Sequence, residues 1–181
     1  MDGKKLLVIS DTHGNRPALK AVLSWAKDRM PPNDTICCAA FLGDGAYDLR
    51  MAAEAAGFYS EWKLVRGNND YDSSLPDSAV FDFAGRRFFM CHGHRHSLYG
   101  GYHALLAAAN SNNADVVLFV HTHVPFQKKA GGILLLNPGS AGSPRSRIGA
   151  TFAVIECTDG QPLKAEFLGI DAKGEIKKVN I

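Results

Sequence analysis

The most constraining feature of this 181-residue sequence is a set of five short apolar runs, each followed at once by polar side chains that can bind metals. Each run has the length and apolar content of a buried strand. In an open α/β sheet, ligand sites form beyond the carboxyl ends of the strands. We therefore expect these polar residues to share one site. They are Asp11-Thr12-His13 after LLVIS, Asp44 after CCAAFLG, Asn68-Asn69-Asp70 after WKLVRG, His92-Gly93-His94 after FFMC, and His121-Thr122-His123 after DVVLFV.

The wider pattern predicts an α/β fold in which helices separate the first strands and are missing between the last ones. Residues 79–91 are predicted to form a hairpin that turns at Gly85-Arg86, and the last strands are predicted to form an antiparallel meander. Two packed sheets with outer helices would combine both halves in a single domain, residues 1–181. The predicted strands are 4–10, 35–42, 61–65, 79–84, 87–91, 115–120, 133–136, 150–156 and 163–168, and the predicted helices are 17–30, 48–56 and 102–110.

Composition excludes several classes of function. A formal net charge of +2 gives no strong nucleic-acid signal. The four cysteines show no CxxC spacing, so we expect free, mostly buried thiols in a reducing compartment. The apolar run at the N-terminus is short for a signal peptide, and no stretch reaches the length of a membrane span. We therefore expect a cytoplasmic protein with no membrane partner.

The polar motifs are individually weak but together predict a site for two divalent metal ions. Asp-x-His, Gly-Asp and Asn-Asn-Asp each occur in ordinary turns. If His121 and His123 continue the preceding strand, both imidazoles project to the same side. Nitrogen and oxygen ligands without thiolate suit Mn, Fe, Zn, Co or Ni better than Ca. Two cations would outweigh Asp11, Asp44 and one hydroxide, which leaves a small positive charge suited to a phosphodiester monoanion.

In this order, the motifs resemble the calcineurin-like metallophosphoesterase superfamily, and within it the small bacterial and archaeal phosphodiesterases. Asn137-Pro138-Gly139-Ser140, which typically follows the last histidine pair in this group, is present too. The resemblance implies a four-layer α-β-β-α sandwich, two facing mixed β-sheets flanked by helices, with the metals at one end. It also implies a ligand set in which Asp44 bridges the ions: Asp11, His13, Asp44 and His123 for one, and Asp44, Asn68, His92 and His121 for the other.

Two positions depart from the superfamily pattern. Val120 replaces the glycine that usually precedes the last histidine pair, and we expect a local adjustment there without loss of the site. Asn69 stands where many larger relatives carry a histidine that protonates the leaving group. An amide does not transfer a proton at neutral pH. The small phosphodiesterases share this second departure.

The resemblance leads to a hypothesis of two-metal hydrolysis, in which a hydroxide bridging the ions attacks the phosphorus in line. Asp44 and Asn68 would act in catalysis as ligands. His94 is a candidate for binding the phosphate or protonating the leaving group, with a structural role as the alternative. Asn69 and Arg145 are further candidates for binding the substrate, although a solvated loop arginine is the commoner reading of Arg145. Asp70 is expected to brace its own turn or a ligand histidine.

Three functions remain open at this point. Phosphodiester hydrolysis is the first choice, a phosphomonoesterase on the same site is the nearest alternative, and a non-catalytic protein-binding scaffold of the same fold is the third. The cofactor prediction is two divalent ions, with Mn first and Fe, Zn, Ni, Co or Mg as alternatives. The predicted partner is a small phosphoester, and exposed strand edges would allow a homodimer.

Overall fold

The structure of the protein is a computed structural model that describes residues 3–30 and 36–181. Within these residues it contains eleven strands and three α-helices. The strands are β1 (Lys4–Ile9), β2 (Ile36–Phe41), β3 (Glu61–Leu64), β4 (Ser78–Phe83), β5 (Arg86–Cys91), β6 (Val116–Leu118), β7 (Phe126–Ala130), β8 (Ile133–Asn137), β9 (Ala150–Cys157), β10 (Lys164–Ile170) and β11 (Ile176–Val179). The helices are α1 (Arg16–Lys27), α2 (Ala46–Ala56) and α3 (His103–Ser111).

The strands form two mixed sheets. Sheet 1 has the order β11-β10-β9-β1-β2-β3, and sheet 2 has the order β4-β5-β6-β8-β7. In sheet 1, β1, β2 and β3 run parallel, and β9 is antiparallel to β1. In sheet 2, β5, β6 and β8 run parallel. The carboxyl ends of β1 to β3 therefore share one edge of sheet 1, and those of β5 and β6 share one edge of sheet 2.

Strand β1 shows why both faces of sheet 1 are covered. Its side chains alternate between the faces, as the pleat of a strand requires. Leu6 and Val8 belong to the apolar cluster between the two sheets, which also contains Met90 of β5. Leu7 and Ile9 belong to the cluster on the outer face, where α1 and α2 pack. A strand buried on both faces carries a continuous apolar run, and LLVI is such a run.

Helix α3 covers the outer face of sheet 2. Leu105 and Ala109 of this helix share a cluster with Val117, Phe119 and Leu135 of the sheet and the loop after it. The layer order is thus α1 and α2, sheet 1, sheet 2, α3, which confirms the four-layer α-β-β-α sandwich. No helix in the described ranges is long and apolar enough to cross a membrane.

Several local predictions need correction. The β4–β5 turn lies at Ala84-Gly85, one residue earlier than predicted, and both residues have positive φ, 47° and 74°. The C-terminal meander holds only β9, β10 and β11, because β8 belongs to sheet 2 beside β6. Strands β7 and β11 were not predicted. The first residue of the predicted strand 35–42, Thr35, lies outside the described residues, whereas Ile36–Phe41 is confirmed as β2.

Candidate metal centre

The loops that follow β1 and β2 are joined by backbone hydrogen bonds at the edge of sheet 1. The N–H of Asp11 donates to the carbonyl of Gly43 at 3.0 Å, and the N–H of His13 donates to the carbonyl of Asp44 at 3.1 Å. The loop after β6 approaches from sheet 2, where the N–H of Val120 donates to the carbonyl of His92 at 2.9 Å. Val120 is fully buried, so the departure from glycine is accommodated by packing between the sheets.

Most of the unusual backbone conformations lie at this edge. Eight non-glycine residues have a positive φ among those the structure describes, and five of them are predicted metal ligands. These five are Asp11 at 49°, His13 at 44°, Asp44 at 57°, His121 at 73° and His123 at 59°. A sparsely populated conformation costs about 1–3 kcal/mol and persists where the surroundings impose it, often at functional sites. Backbone strain therefore points to five of the seven predicted ligands, whereas Asn68 and His92 have no positive φ.

Three ligand-type atoms of the first cluster converge on one point. The Nε2 atom of His123 lies 3.0 Å from Oδ1 of Asp11, and Nε2 of His13 lies 3.3 Å from the same oxygen. The two Nε2 atoms are 3.3 Å apart. Two atoms about 2.1 Å from one ion, at an angle of roughly 90–110°, lie about 3.0–3.4 Å apart. The spacing therefore fits a common cation.

The hydrogen bonds of His123 support the same interpretation. Its Nδ1 donates to the carbonyl of Ser143 at 2.6 Å, which leaves a lone pair on Nε2 in the neutral ring. That lone pair faces Oδ1 of Asp11, a fully buried carboxylate oxygen that receives no hydrogen bond of acceptable geometry. Two acceptors turned toward each other repel unless a proton or a cation lies between them. A divalent cation satisfies both at once.

His92 has a similar arrangement in the second cluster. Its Nδ1 donates to the carbonyl of Leu42 at 2.8 Å, and its Nε2 lies 3.1 Å from Oδ1 of Asn68 and 3.5 Å from Oδ2 of Asp44. The ring of His121 is 5.3 Å from the ring of His92, measured between centroids. Imidazole, amide oxygen and carboxylate thus meet at a second point where their lone pairs face one another.

Asp44 lies between the two clusters. Its Oδ2 is 3.6 Å from Nε2 of His13 and 3.5 Å from Nε2 of His92. Asn69 contacts both of its oxygens, because the backbone N–H donates to Oδ1 at 2.7 Å and Nδ2 donates to Oδ2 at 2.6 Å. Each carboxylate oxygen can accept one hydrogen bond and still bind one ion. Asp44 is therefore the residue that can reach both positions.

The pKa shifts follow from the same contacts. Burial raises the pKa of Asp11, but a proton held between its carboxylate and the rings of His123 and His13 outweighs burial and keeps that pKa at about 2. The contact with Asp11 raises the pKa of His13. Burial, and then the charge of His92, lower the pKa of His121. These directions favour the ionised form of Asp11 and the neutral form of His121, which bind metals, whereas a metal ion at His13 would have to displace a proton from the ring.

Asp70 fixes the two loops that carry Asp44 and Asn68. Its Oδ2 accepts the N–H of Asp44 at 2.7 Å and that of Gly67 at 2.9 Å. Its Oδ1 accepts the N–H groups of Gly45 and Ala46, both at 2.9 Å. Burial raises its pKa and the four backbone donors lower it, with a lowered pKa as the result. Asp70 therefore braces its own turn, as predicted, and also the start of α2; it does not contact a ligand histidine.

The segment Asn137–Ser140 supports the loops on the other side of the centre. Oγ of Ser140 donates to the carbonyl of Asp11 at 2.7 Å. Nδ2 of Asn137 donates to Oγ1 of Thr122 at 3.0 Å, between the two histidines of the last motif. The sequence motif alone did not indicate these contacts. Its part in holding the loops depends on contacts between distant segments, which local sequence does not encode.

The last histidine pair differs from the expectation. Strand β6 ends at Leu118, and the positive φ values of His121 and His123 show a looped backbone in place of a continued strand. The two rings consequently belong to different clusters. His121 lies beside His92, whereas His123 lies beside Asp11 and His13.

The three predicted substrate-binding residues differ in their contacts with the centre. The ring of His94 lies 5.4 Å from that of His92 and 6.2 Å from that of His121, between centroids, and its buried Nδ1 has no hydrogen-bond partner. The side chain of Asn69 is turned toward Asp44. Arg145 is exposed, and its backbone N–H donates to the carbonyl of His123 at 3.3 Å, which places the residue beside the centre.

Comparison with known proteins identifies a family for this chain. The calcineurin-like phosphoesterase superfamily domain matches residues 5–160. A probable metallophosphoesterase of Mycoplasma pneumoniae is 31% identical over 78% of this chain and 82% of its own length. The phosphodiesterase YfcE of Escherichia coli K12 is 29% identical over 84% of this chain and 87% of its own length.

Solved structures show the same fold. A predicted phosphoesterase from Streptococcus pneumoniae superposes with a TM-score of 0.77 at 25% identity, covering 99% of this chain and 98% of that one. Vps29 from Entamoeba histolytica superposes with a TM-score of 0.76 at 22% identity, covering 98% of this chain and 99% of that one. Together with the match over residues 5–160, these findings mean that the chain belongs to the calcineurin-like phosphoesterase superfamily.

Proposed function

We propose that the protein is a phosphodiesterase that works with two divalent metal ions. The observation that carries this proposal is the pair of acceptor clusters on either side of Asp44. Relatives named as metallophosphoesterases and as a phosphodiesterase support the reaction class. A Vps29 of Entamoeba histolytica, solved with Zn²⁺ at a TM-score of 0.74, indicates that this fold can accept a divalent ion.

In the proposed site, the residues divide into two ligand sets that share one carboxylate. The clusters support Asp11, His13 and His123 on one side, and Asn68, His92 and His121 on the other, with Asp44 common to both. When bound, the two cations supply Lewis acidity and lower the pKa of a water molecule. The protein supplies fixed ligand geometry through Asp70, Ser143 and the carbonyl of Leu42, which hold Asp44, His123 and His92.

Three other side chains are assigned to the substrate in this proposal. His94 has an unpaired Nδ1 beside the second cluster, so it would donate a hydrogen bond to the phosphate or act on the leaving group. Asn69 would keep Asp44 oriented and reach the phosphate edge. Arg145 would attract the anionic substrate from the rim near His13.

The test compares two chromogenic substrates after metal analysis of the purified protein. Each of Mn, Fe, Zn, Ni, Co and Mg is added back to the metal-free protein, and rates are measured on bis-p-nitrophenyl phosphate and on p-nitrophenyl phosphate. We expect two ions per chain, the highest rate with Mn, and a preference for the diester. A clear preference for the monoester would replace this proposal by a phosphomonoesterase.

The likeness to Vps29 structures keeps a protein-binding scaffold as the second candidate. All seven predicted ligand positions of this chain carry side chains able to bind a metal, which argues against a site that has lost its function. A protein that binds no metal and hydrolyses neither ester after Mn is added would favour the scaffold.

One further attribute is part of the proposal. The intersheet cluster joins residues from β1 to β11, so we propose a single domain over residues 1–181. The cytoplasmic location and the homodimer stay predictions from the sequence, as does the lack of a nucleic-acid partner. Metal analysis and the mass of the protein in solution would test the ion and the dimer.

A further inference from the structure

A groove of about 1330 Å³ begins at the metal centre and continues along α2 and β3. Its lining includes His13, Asp44 and Asn69 from the metal centre, Phe58 from the loop after α2 and Trp62 from β3. Its volume exceeds the space needed for one phosphate group and is large enough for a sizeable organic group. The position of the groove next to the ligands makes it part of the path of a substrate.

Several of the side chains that line the groove are apolar or aromatic and yet strongly exposed. Among the described residues, Tyr47 is 75% exposed, Met51 51%, Tyr59 73% and Tyr71 100%, and all four line this groove. Isolated exposed apolar residues are ordinary, but several gathered in one concavity mark a binding site. A tyrosine ring offers a flat apolar face and prefers to pack against another aromatic ring.

Two of these tyrosines are held close to the metal centre by Asp70. Tyr71 follows Asp70 directly, and Tyr47 follows Ala46, whose N–H donates to the Asp70 carboxylate at 2.9 Å. The same carboxylate accepts the N–H of Asp44 at 2.7 Å. The backbones that carry both rings are therefore fixed to the loop of the proposed bridging residue. The rings themselves remain free for contact with a ligand.

The charges beyond the centre restrict what the groove accepts. Its lining also contains the carboxylates of Asp48, Glu54, Glu61 and Asp72. Arg50 is the one arginine or lysine in the lining that the structure describes. Asp48 pairs with Arg16 at 2.8 Å and Glu61 with Lys63 at 2.5 Å, so these two are partly neutralised. The remaining acidic character would repel a second phosphate or a carboxylate on the substrate.

We propose that this groove binds an uncharged aromatic ester group of the phosphodiester substrate, with Tyr47 and Tyr71 packing against its ring. The proposal rests on the proposed function for the position of the phosphate, and it adds the chemical class of the attached group. Tyr47 and Tyr71 are then specificity-determining residues, which discriminate between esters without taking part in the hydrolysis.

The test measures the binding of four poorly reactive diesters to the Mn-loaded protein by calorimetry. They are diphenyl, dicyclohexyl, dimethyl and bis(4-carboxyphenyl) phosphate, which separate aromatic, apolar, small and additionally charged groups. We expect diphenyl phosphate to bind most tightly. Tyr47→Ala and Tyr71→Ala should each weaken it by about two- to tenfold and leave dimethyl phosphate unchanged. Tyr71→Phe should retain the affinity, and Tyr99→Ala, 82% exposed and outside the groove lining, is the matched control.

The outcomes distinguish a failure of the groove proposal from a failure of the proposed function. Equal affinity for diphenyl and dicyclohexyl phosphate, tighter binding of the carboxylated diester, or alanine variants that act on both diphenyl and dimethyl phosphate would overturn the aromatic groove. Hydrolysis of bis-p-nitrophenyl phosphate is assayed separately in the same preparations. Loss of that activity with a retained preference for diphenyl phosphate would contradict the proposed function and support the groove.

Discussion

At the level of single residues, the candidate centre is defined by hydrogen-bond acceptors that face other acceptors in place of donors. Oδ1 of Asp11 is buried and faces Nε2 of His123 at 3.0 Å, while Nδ1 of His123 is already used by the Ser143 carbonyl. Leaving such an acceptor unsatisfied costs about 1–3 kcal/mol, and more for a charged group. A cation removes this cost, so the same contacts that are unfavourable without metal become ligand bonds with it.

Replacing Asp44 by asparagine tests the shared position. Asp44→Asn keeps the shape of the side chain but removes the charge that both ions need. We expect the metal content to fall and the Mn-dependent rate on bis-p-nitrophenyl phosphate to drop by at least about 100-fold, since even partners of metal ligands are worth 10–100-fold. Asp82→Asn, at an aspartate on β4 whose side chain is 72% exposed, is the control. Full metal content and turnover in Asp44→Asn would refute the bridging assignment.

Replacing Asp70 tests the brace between the two loops. In Asp70→Asn an NH2 group takes the place of one carboxylate oxygen. This group faces two backbone N–H donors and cannot accept a hydrogen bond from either. The free energy of unfolding, from urea titration, should fall by about 1–3 kcal/mol. Asp72→Asn is the matched control, because Asp72 is exposed and bonds only within its own turn, to Ser74. If both variants lost the same free energy of unfolding, the four backbone hydrogen bonds of Asp70 would contribute little to stability.

The predicted ligands were accessible from the sequence because each one directly follows an apolar run. The backbone conformations that bring these ligands together could not be predicted from the sequence. A positive φ at Asp11 or His123 is imposed by the neighbouring loops, and the role of Ser140 depends on a hydrogen bond to Asp11 across 129 residues of chain. The role of Asn69 in binding substrate stays a prediction, whereas the hydrogen bond from its side chain to Asp44 is a contact that no local pattern encodes.

At the level of elements, the loops after β2 and β3 approach so closely that both need glycine. A Cβ atom on Gly67 would lie 2.5 Å from the backbone nitrogen of Asp44 and would also collide with its carboxylate, and one on Gly43 would meet the backbone of Gly67. The parallel pairing of β2 and β3 brings these loops side by side. The Gly-Asp and Gly-Asn pairs of the sequence thus have a packing reason beyond turn formation.

Gly67→Ala should consequently disturb the centre without removing a ligand. The added methyl group has rigid backbone as its neighbour, so Asp44 must move. We expect a loss of about 1–3 kcal/mol in stability, a lower melting temperature and reduced metal content. Gly100→Ala is the control, because a Cβ there meets nothing within 4 Å and its φ is not positive. If Gly67→Ala matched Gly100→Ala in both measurements, the close approach would be unimportant.

The elements that sequence reasoning missed are those with little apolar content. Strand β7 reads FQKKA and β11 reads IKKV; each lies at the edge of its sheet and is half exposed. Neither strand carries an apolar run or a regular alternation of apolar and polar residues, so its sequence pattern is weak. Gly131 and Gly132, both with positive φ, join β7 to β8, and this pair was a usable hairpin signal.

At the level of the whole molecule, the centre lies where the two sheets meet at their carboxyl edges. Asp11, Asp44 and Asn68 come from sheet 1, whereas His92, His121 and His123 come from sheet 2. The resemblance implied this four-layer plan. It did not assign β8 to sheet 2, because a continuous apolar run such as LLL is compatible with either sheet.

Metal removal should therefore loosen the contact between the sheets. Ions that bind only the folded protein stabilise it by about 2.7 kcal/mol at a hundredfold excess over Kd. For a chain of this length, that corresponds to a rise of roughly 5–10 °C in the melting temperature. We expect the melting temperature of chelator-treated, metal-free protein to be lower by this amount and to be restored when Mn is added back.

The control for this measurement is the response of Asp44→Asn to the same treatment. A general effect of the chelator would lower the melting temperature of both proteins equally. An effect of ions held between the sheets should be much smaller in the variant, because its shared ligand has lost the charge. An unchanged melting temperature in wild-type protein shown by metal analysis to be free of ions would mean that the sheets are held by the intersheet apolar cluster alone. The ligand loops would then be fixed by Asp70 and Ser140 before any ion binds.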